Sequence, residues 1–589
     1  MNNLGNCYRN GIGVRKEEHK AFVYYHKSAE MGNASGMFSV GCCYNEGIGV
    51  EKDEHKAYVY YQKSAEMGYA GGAYNVGYCY DEGIGVEKDE HKAFIYYQKS
   101  AEMGHADGTY NVGRCYVEGI GIEKDERKAF IYYQKSAELG NAIGAYNVGY
   151  YCYQNGIGVE KDEHRALINY QKSADMGHPK GIYNAGYCYQ NGIGVKKGIL
   201  EKDEHKAFIY YQKSAELGNA SGAYKVGYCY RNGIGVEKDE HEAFIYFQKS
   251  AELDDAKGTF ALGYCYFNGI GVEKDERKAF IYFQKSAEMG YAGGAYNVGY
   301  CYRNGIGVEK DERKAFIYYQ KSAEMENVLD TNNVGNCYLN GIGIEKSVED
   351  ECKAFDNYKK SADMGDADGI FQVGYCYQNG IGVGKDEHKA FIYYQKSAEL
   401  GNADGLFNLG QCYQHGIGVE KNYRKAFEYY QKSADMGHNK GTISVGKCYN
   451  IGVGVKKDKQ NAFIYFKKSA EMSDIDGTYQ VGYCYEHGFG TEKNEYKAFE
   501  YCKKSANLGS KEGTFIVGRF YENGIGIKKS EHKAFEYYKK SAELGYTRGM
   551  NKLGYFYRNG IGVISDIEKA NYWFRKENSK IHEIIRLDN

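Results

Sequence analysis

Apolar and polar residues recur along this chain in two alternating arrangements. In the stretch Gly72-Ala-Tyr-Asn-Val-Gly-Tyr-Cys-Tyr80, residues Ala73, Val76, Gly77 and Tyr80 fall at i, i+3, i+4 and i+7. A helix places that spacing on one buried face. In the stretch His91–Met103, residues Ala93, Tyr96, Tyr97, Ser100 and Ala101 form a second stripe, with Lys99 and Glu102 facing water. The link Gly83-Ile-Gly-Val86 supplies two glycines for backbone angles other residues resist. Asp89 reads as the N-cap of the second helix and Gly104 as its terminator. Gly77 in mid-helix weakens the helix, so its recurrence predicts that another helix approaches closely there.

This unit repeats. Lys-Ala-Phe or a close variant begins at Lys20, Lys56, Lys92 and Lys128, 36 residues apart, and then at Arg165, Lys206, Glu242, Lys278, Lys314, Lys353, Lys389, Lys425, Asn461, Lys497, Lys533 and Lys569. Three intervals are longer, with the excess at Tyr150-Tyr151, in the loop Lys196–Leu200 and at Ser347–Cys352. One helix pair buries too little apolar surface to offset the ordering of its own chain, so neighbouring pairs must stack. The fold class expected is all-α: a right-handed α/α superhelical solenoid of about sixteen helix–turn–helix repeats over residues 1–578, then a tail at 579–589. The doubled tyrosine suggests a π-bulge. The irregular stretch 326–352, where Glu326 replaces Gly and Asp330-Thr331 replace Gly-Ala, suggests a weak point or hinge.

Composition narrows the function. A single Pro and 78 Gly fit helices joined by glycine turns. A net charge of −2 argues against nucleic acid or an anionic membrane as the main partner. No apolar run is long enough for a transmembrane helix, and residues 1–5 lack the features of a signal peptide. Of 17 Cys, most fall at one repeat position, from Cys7 and Cys43 to Cys484, with Cys152 among them. Stacked equivalents about 8–10 Å apart are too distant for disulfides. They read as free, half-buried thiols of a reducing compartment, giving a cytoplasmic expectation.

Recurrent Gly-x-Gly lacks a phosphate-loop context, and the histidines at second-helix starts, such as His55 and His91, read as solvated helix-end residues. No metal, cofactor or catalytic set is assembled. The sequons at Asn33 and Asn219 lie at turns between repeats. Glu577-Asn578 in place of the usual Ser-Ala reads as a terminal cap, and the start inside a first helix reads as an N-terminus truncated or once joined to an upstream domain.

The residues Ala73, Val76, Gly77, Tyr80, Gly83, Gly85, Val86, Asp89, Lys92, Ala93, Tyr96, Tyr97, Lys99, Ser100, Ala101 and Gly104 resemble the Sel-1-like repeat, a relative of the tetratricopeptide repeat found in HCP-like proteins. Departures are small: Val for Leu, and Ser for the first Ala. The resemblance implies a protein-interaction scaffold or adaptor in signalling or complex assembly. Relatives look like adaptors for an ER-membrane ubiquitin ligase, for activating chitin synthase and for bacterial signalling. An adaptor in ER-associated degradation is therefore the alternative, and an enzyme a more distant one. Arrays beside protein kinases in some relatives fit a missing upstream kinase domain. Secreted cysteine-rich relatives pair cysteines within a repeat, whereas this chain has one per repeat.

In the family the first helices line a concave surface, which makes their outward positions the candidate partner-binding residues. These are Asn75, Tyr78, Asn111, Arg114, Asn147, Tyr151, Asn184, Tyr187, Lys225, Tyr228, Tyr264, Asn297 and Tyr300. Tyr gives wide amphipathic contact at low entropic cost, and Asn pairs with extended backbone. The partners expected are proteins or peptides.

Overall fold

The computed structural model describes residues 1–154, 159–194, 202–325, 328–347 and 349–588. Among these residues the secondary structure is helical, with no strand, and the helices alternate as first (A) and second (B) members of successive pairs. They fall into two units, residues 1–310 and 311–589. In the third pair the A helix is Ala70–Glu82 and the B helix Glu90–Glu102.

Local signals set the boundaries. The A helix ends at Gly83, whose φ of 72° lets its N–H reach the Cys79 carbonyl. Asp89 caps the B helix by accepting from the Lys92 N–H at 2.9 Å. Asparagine does the same for A helices: Asn33 accepts from Gly36 N–H and Asn219 from Gly222 N–H, both at 2.7 Å. Both sequon asparagines are thus helix caps.

The seam between the helices of a pair depends on the absence of a side chain. A β-carbon on Gly77 would lie 2.8 Å from the Tyr97 ring and 3.2 Å from the Ala93 carbonyl oxygen. This is the close approach that the mid-helix glycine predicted. Three devices then join one pair to the next. A β-carbon on Gly85, whose φ is 68°, would sit 2.1 Å from the Glu54 carbonyl oxygen of the preceding pair, so only glycine lets the link lie on that helix start. Gly108 packs against Ser100, whose hydroxyl donates to the Ala70 carbonyl at 2.9 Å. The exposed His55 and His91 each place Nδ1 at 2.9 and 3.2 Å from the carbonyl of the following Gly85 and Gly121. These histidines are exposed, as read from the sequence, but each also straps two repeats together.

The buried residues include Ala73, Val76, Cys79, Tyr80, Ala93, Tyr97 and Ser100. Two members of the expected B-helix stripe, Tyr96 and Ala101, are only half-buried, and Phe94 is buried in their stead. The repeated cysteines from Cys43 to Cys484 are buried outright rather than half-buried, and burial pushes the Cys79 and Cys115 thiols up to about 12.

The doubled tyrosine does not form a π-bulge. Ala142–Tyr153 is α-helical, and the Gln154 N–H bonds the Tyr150 carbonyl four residues back. The register from Gly149 is kept, so Tyr150 takes the Tyr78 position and Tyr151 the buried cysteine position. Cys152 takes the next, where its carbonyl accepts from Asp162 N–H at 2.7 Å as Tyr80 accepts from Asp89 at 2.9 Å. Tyr151 accordingly packs 5.8 Å from the Tyr133 ring. Phe520 and Phe556 fill the same buried position in later repeats.

Residues 196–200 and, within the irregular stretch, 326–327 and 348 lie outside the described residues. In that stretch Asp330 replaces the glycine at the Ser seam, is fully buried, and accepts from the Ser322 hydroxyl. At the C-terminal end the helix Ile567–Asp588 runs on through the expected boundary at 578/579, and Glu577 accepts from Asn551 at 2.8 Å.

Candidate functional site

The outward side of the A helices in residues 1–310 is where the sequence-predicted residues gather. Capped helices on a close-packed seam fix its register, so side chains spaced by one repeat line up along the array. Tyr78 is 43% exposed, and Tyr228 and Tyr300 are exposed with it. Tyr187 and Tyr264 are half-buried, as are Asn75, Asn147, Asn184, Lys225 and Asn297. Asn111 is buried.

One predicted residue is misplaced. Tyr151 is 6% exposed and belongs to the core, while Tyr150 at 40% stands on the face. The extra residue displaces the positions after it by one and leaves Tyr150 aligned with Tyr78.

Arg114 is on the face but already engaged. Its guanidinium pairs with Asp81 of the preceding A helix, and the Tyr97 hydroxyl donates to the same carboxylate oxygen at 3.1 Å. Asp81 is buried, so this charge is compensated inside the protein. Arg519 and Glu486 form the equivalent pair in residues 311–589. The sequence reading missed these bridges. Their signal was an acid and an arginine 33 residues apart, in both places. Elsewhere the same register bonds the buried tyrosine with an amide: Tyr211 donates to Gln190 at 2.8 Å and Tyr430 to Gln414 at 2.8 Å.

The face deepens at the fifth and sixth repeats into a cleft of about 320 Å³. It is lined by Tyr146, Tyr150, Tyr153, Gln154, Tyr170, Tyr183, Asn184, Tyr187 and Cys188. Burial raises the phenols of Tyr146, Tyr170 and Tyr183 above the ordinary tyrosine value and pushes Cys188 up to about 12. The lining contains no acidic or basic side chain: it presents aromatic faces with hydroxyl and amide tips.

Further along, the face gains cations. The Lys225 ammonium lies 5.7 Å from the Tyr228 ring, and the Arg231 guanidinium 4.5 Å from the Tyr264 ring. Burial lowers the Lys225 pKa. The Phe267 ring meets Tyr300 at 6.4 Å. The B helices carry two further clefts at equivalent positions, about 380 Å³ at Gln98, Tyr132 and Leu139 and about 420 Å³ at Gln395, Tyr429 and Met436.

Among the described residues no group of His, Cys, Asp and Glu is placed to hold a metal. Among them too, no helix is long and apolar enough to cross a membrane. The face offers contact surface and hydrogen bonds.

The Sel1 repeat model matches the chain sixteen times, from residues 1–33 through 70–105 and 142–178 to 547–576. Among solved structures, the chain is 28% identical to a protective antigen present in uropathogenic Escherichia coli strains that displays an SLR fold. That likeness covers 85% of this chain and 97% of the antigen, with a TM-score of 0.58. It is 27% identical to a Sel1 repeat protein from Oxalobacter formigenes, over 42% of this chain and 96% of that one, with a TM-score of 0.39. It is 32% identical to Helicobacter pylori cysteine rich protein B, over 22% of this chain and 95% of that one, with a TM-score of 0.20. No curated protein matches. Such repeats are tetratricopeptide-like helical scaffolds, typically non-enzymatic and generally engaged in protein interaction. With its repeats matched almost end to end, the chain is an α-helical repeat solenoid and belongs to the Sel1-repeat family.

Proposed function

We propose that this chain is an adaptor that binds an extended segment of a partner protein along the outward face of its A helices in residues 1–310. The observation that carries this reading is the uncharged, tyrosine-lined cleft at Tyr150, Asn184 and Tyr187. Clefts lined by aromatics with a few polar tips bind by burying apolar surface and orient their ligand by hydrogen bonds. Tyr78, Tyr228, Tyr264 and Tyr300 extend that surface to neighbouring repeats, with Asn75, Asn147 and Asn297 beside it to meet a backbone. Asn111 and Arg114, held by the scaffold itself, contribute shape rather than direct contact.

The setting is signalling or complex assembly in the cytoplasm, where a chain with an upstream domain such as a kinase would bring that domain to the bound partner. Buried thiols outside disulfides, such as Cys79 and Cys115, support a reducing compartment. The test is selection of peptides from a displayed library on the intact chain, followed by Tyr187→Ser, Tyr228→Ser and Tyr264→Ser together. Binding is expected to fall by about a hundredfold with the helical signal unchanged. Selected peptides that bind the triple variant as tightly as the parent would defeat the reading.

A further inference from the structure

An adaptor role leaves the chemistry of the bound segment open, and three observations narrow it. They rest on the A-helix face being the binding surface.

The first is spacing. Every A helix from the fifth repeat to the ninth carries a tyrosine at one register: Tyr150, Tyr187, Tyr228, Tyr264 and Tyr300. Packed helices lie about 8–10 Å apart. A polyproline II helix turns once in three residues and advances about 9 Å in doing so. Laid across the A helices, it presents the same side to each successive tyrosine. A β-strand repeats about every 6.7 Å and falls out of step within two rungs.

The second is hydrogen-bonding character. A proline-rich segment has few N–H groups, so it presents mainly carbonyl acceptors and flat apolar rings. It needs aromatic faces with donors at their tips. The lining of the cleft supplies them: the phenols of Tyr150 and Tyr187 and the amides of Gln154 and Asn184. Because that lining is uncharged, it gives no preference for a basic or a phosphorylated segment. Lys225 and Arg231, set against Tyr228 and Tyr264 at the third and fourth rungs, then favour a carboxylate on the segment there and not at Tyr150 or Tyr187, which fixes its direction.

The third is that this sequence holds no proline-rich segment of its own to compete for the track. Its sole proline, Pro179, opens the helix Pro179–Asn191 and is committed there.

We infer that the tyrosines from Tyr150 to Tyr300 form a docking track for a proline-rich partner segment in the polyproline II conformation, one residue triplet per repeat. Five rungs hold a segment of about fifteen residues.

The test uses the full chain and a fluorescent peptide of about fifteen residues made of Pro-Pro-Ala triplets with Asp-Glu set off-centre in the fourth triplet. A second peptide of equal length has Gly and Ser in place of Pro. Anisotropy is expected to show binding of the proline peptide only, weakened at least about tenfold by Tyr228→Ser, a change at an exposed position, and by Tyr187→Phe, which removes only a donor. A proline peptide that binds Tyr228→Ser as it binds the parent overturns the track. If library-selected, proline-free peptides depend on these tyrosines while the proline peptide does not bind, the segment class is wrong and the face stands. If neither kind depends on them, both readings fall.

Discussion

Two stretches of the array differ where the fold leaves them free. In residues 1–310 the outward A-helix register ends in an unbroken run, Tyr150, Tyr187, Tyr228, Tyr264 and Tyr300, whereas in residues 311–589 it reads Asn336, Tyr375, Gln411, Lys447, Tyr483, Arg519 and Tyr555. Behind this register the two stretches scarcely differ. Gly263 faces Phe283 in one and Gly410 faces Tyr430 in the other, each with room for no more than a hydrogen. Ser250 donates to the Ala220 carbonyl as Ser433 does to that of Ala403, both at 2.9 Å. The seam answers to packing and tolerates little. The face answers to something else, and from the fifth repeat to the ninth it has settled on one side chain.

The largest effect tests the shared seam. Gly263→Val and Gly410→Val each force a side chain into a buried ring and are expected to cost about 3 kcal/mol. Gly104→Ala and Gly401→Ala, at positive φ with nothing within 4 Å of the new atom, should cost only about 1 kcal/mol. Urea unfolding of the four variants measures this, and a seam substitution that matters in one unit but not the other would undo the equivalence.

Next come the buried ion pairs. Arg114→Leu leaves Asp81 uncompensated and Arg519→Leu does the same to Glu486, each for about 2 kcal/mol. Restoring neutrality with Asp81→Asn beside Arg114→Leu should recover part of the loss in thermal melts.

A smaller effect depends on pH. His105 and His178 cap A helices by accepting, through Nδ1, the N–H of Gly108 and Gly181 at 3.1 and 3.2 Å. Protonation removes that acceptor and sets a cation at the positive helix end. Burial lowers both pKa values. The fold therefore uses the neutral form. The contribution is present above the unfolded histidine value of about 6.5 and is lost as pH falls through the lowered folded values. His105→Asn with His178→Asn, copying the Asn141 and Asn219 caps, should flatten that part of the melting profile below about pH 6.5. An unchanged profile would mean the caps contribute nothing.

The repeat, its helices and its turns were legible because each follows from local chemistry: apolar spacing, an N-cap three residues from its N–H, a glycine past each helix end. Gly77 also announced its close contact. The features the sequence hid are matters of register between repeats. Tyr150 and Tyr151 are chemically identical neighbours, and only the helix continuing from Gly149 decides which enters the core. Arg114 reads as a free cation until the preceding A helix brings Asp81 beside it. Tyr96 and Phe94 share one B helix. Phe94 is buried against Tyr116 of the next repeat, 5.6 Å away, while Tyr96 stacks on Tyr80 at the edge. A single repeat read alone has no such neighbours.

On the face itself, stability should hardly respond. Tyr228→Ser and Tyr375→Ser at exposed positions are expected to change unfolding free energy by no more than about 0.5 kcal/mol. Their difference should appear in binding. The decisive measurement is titration of one selected peptide onto the intact chain bearing either Tyr187→Ser with Tyr228→Ser, or Tyr375→Ser with Tyr483→Ser. A loss of at least about tenfold is expected for the first pair and none for the second. Equal losses, or a loss confined to the second pair, would contradict a binding face set by the tyrosine run of residues 1–310.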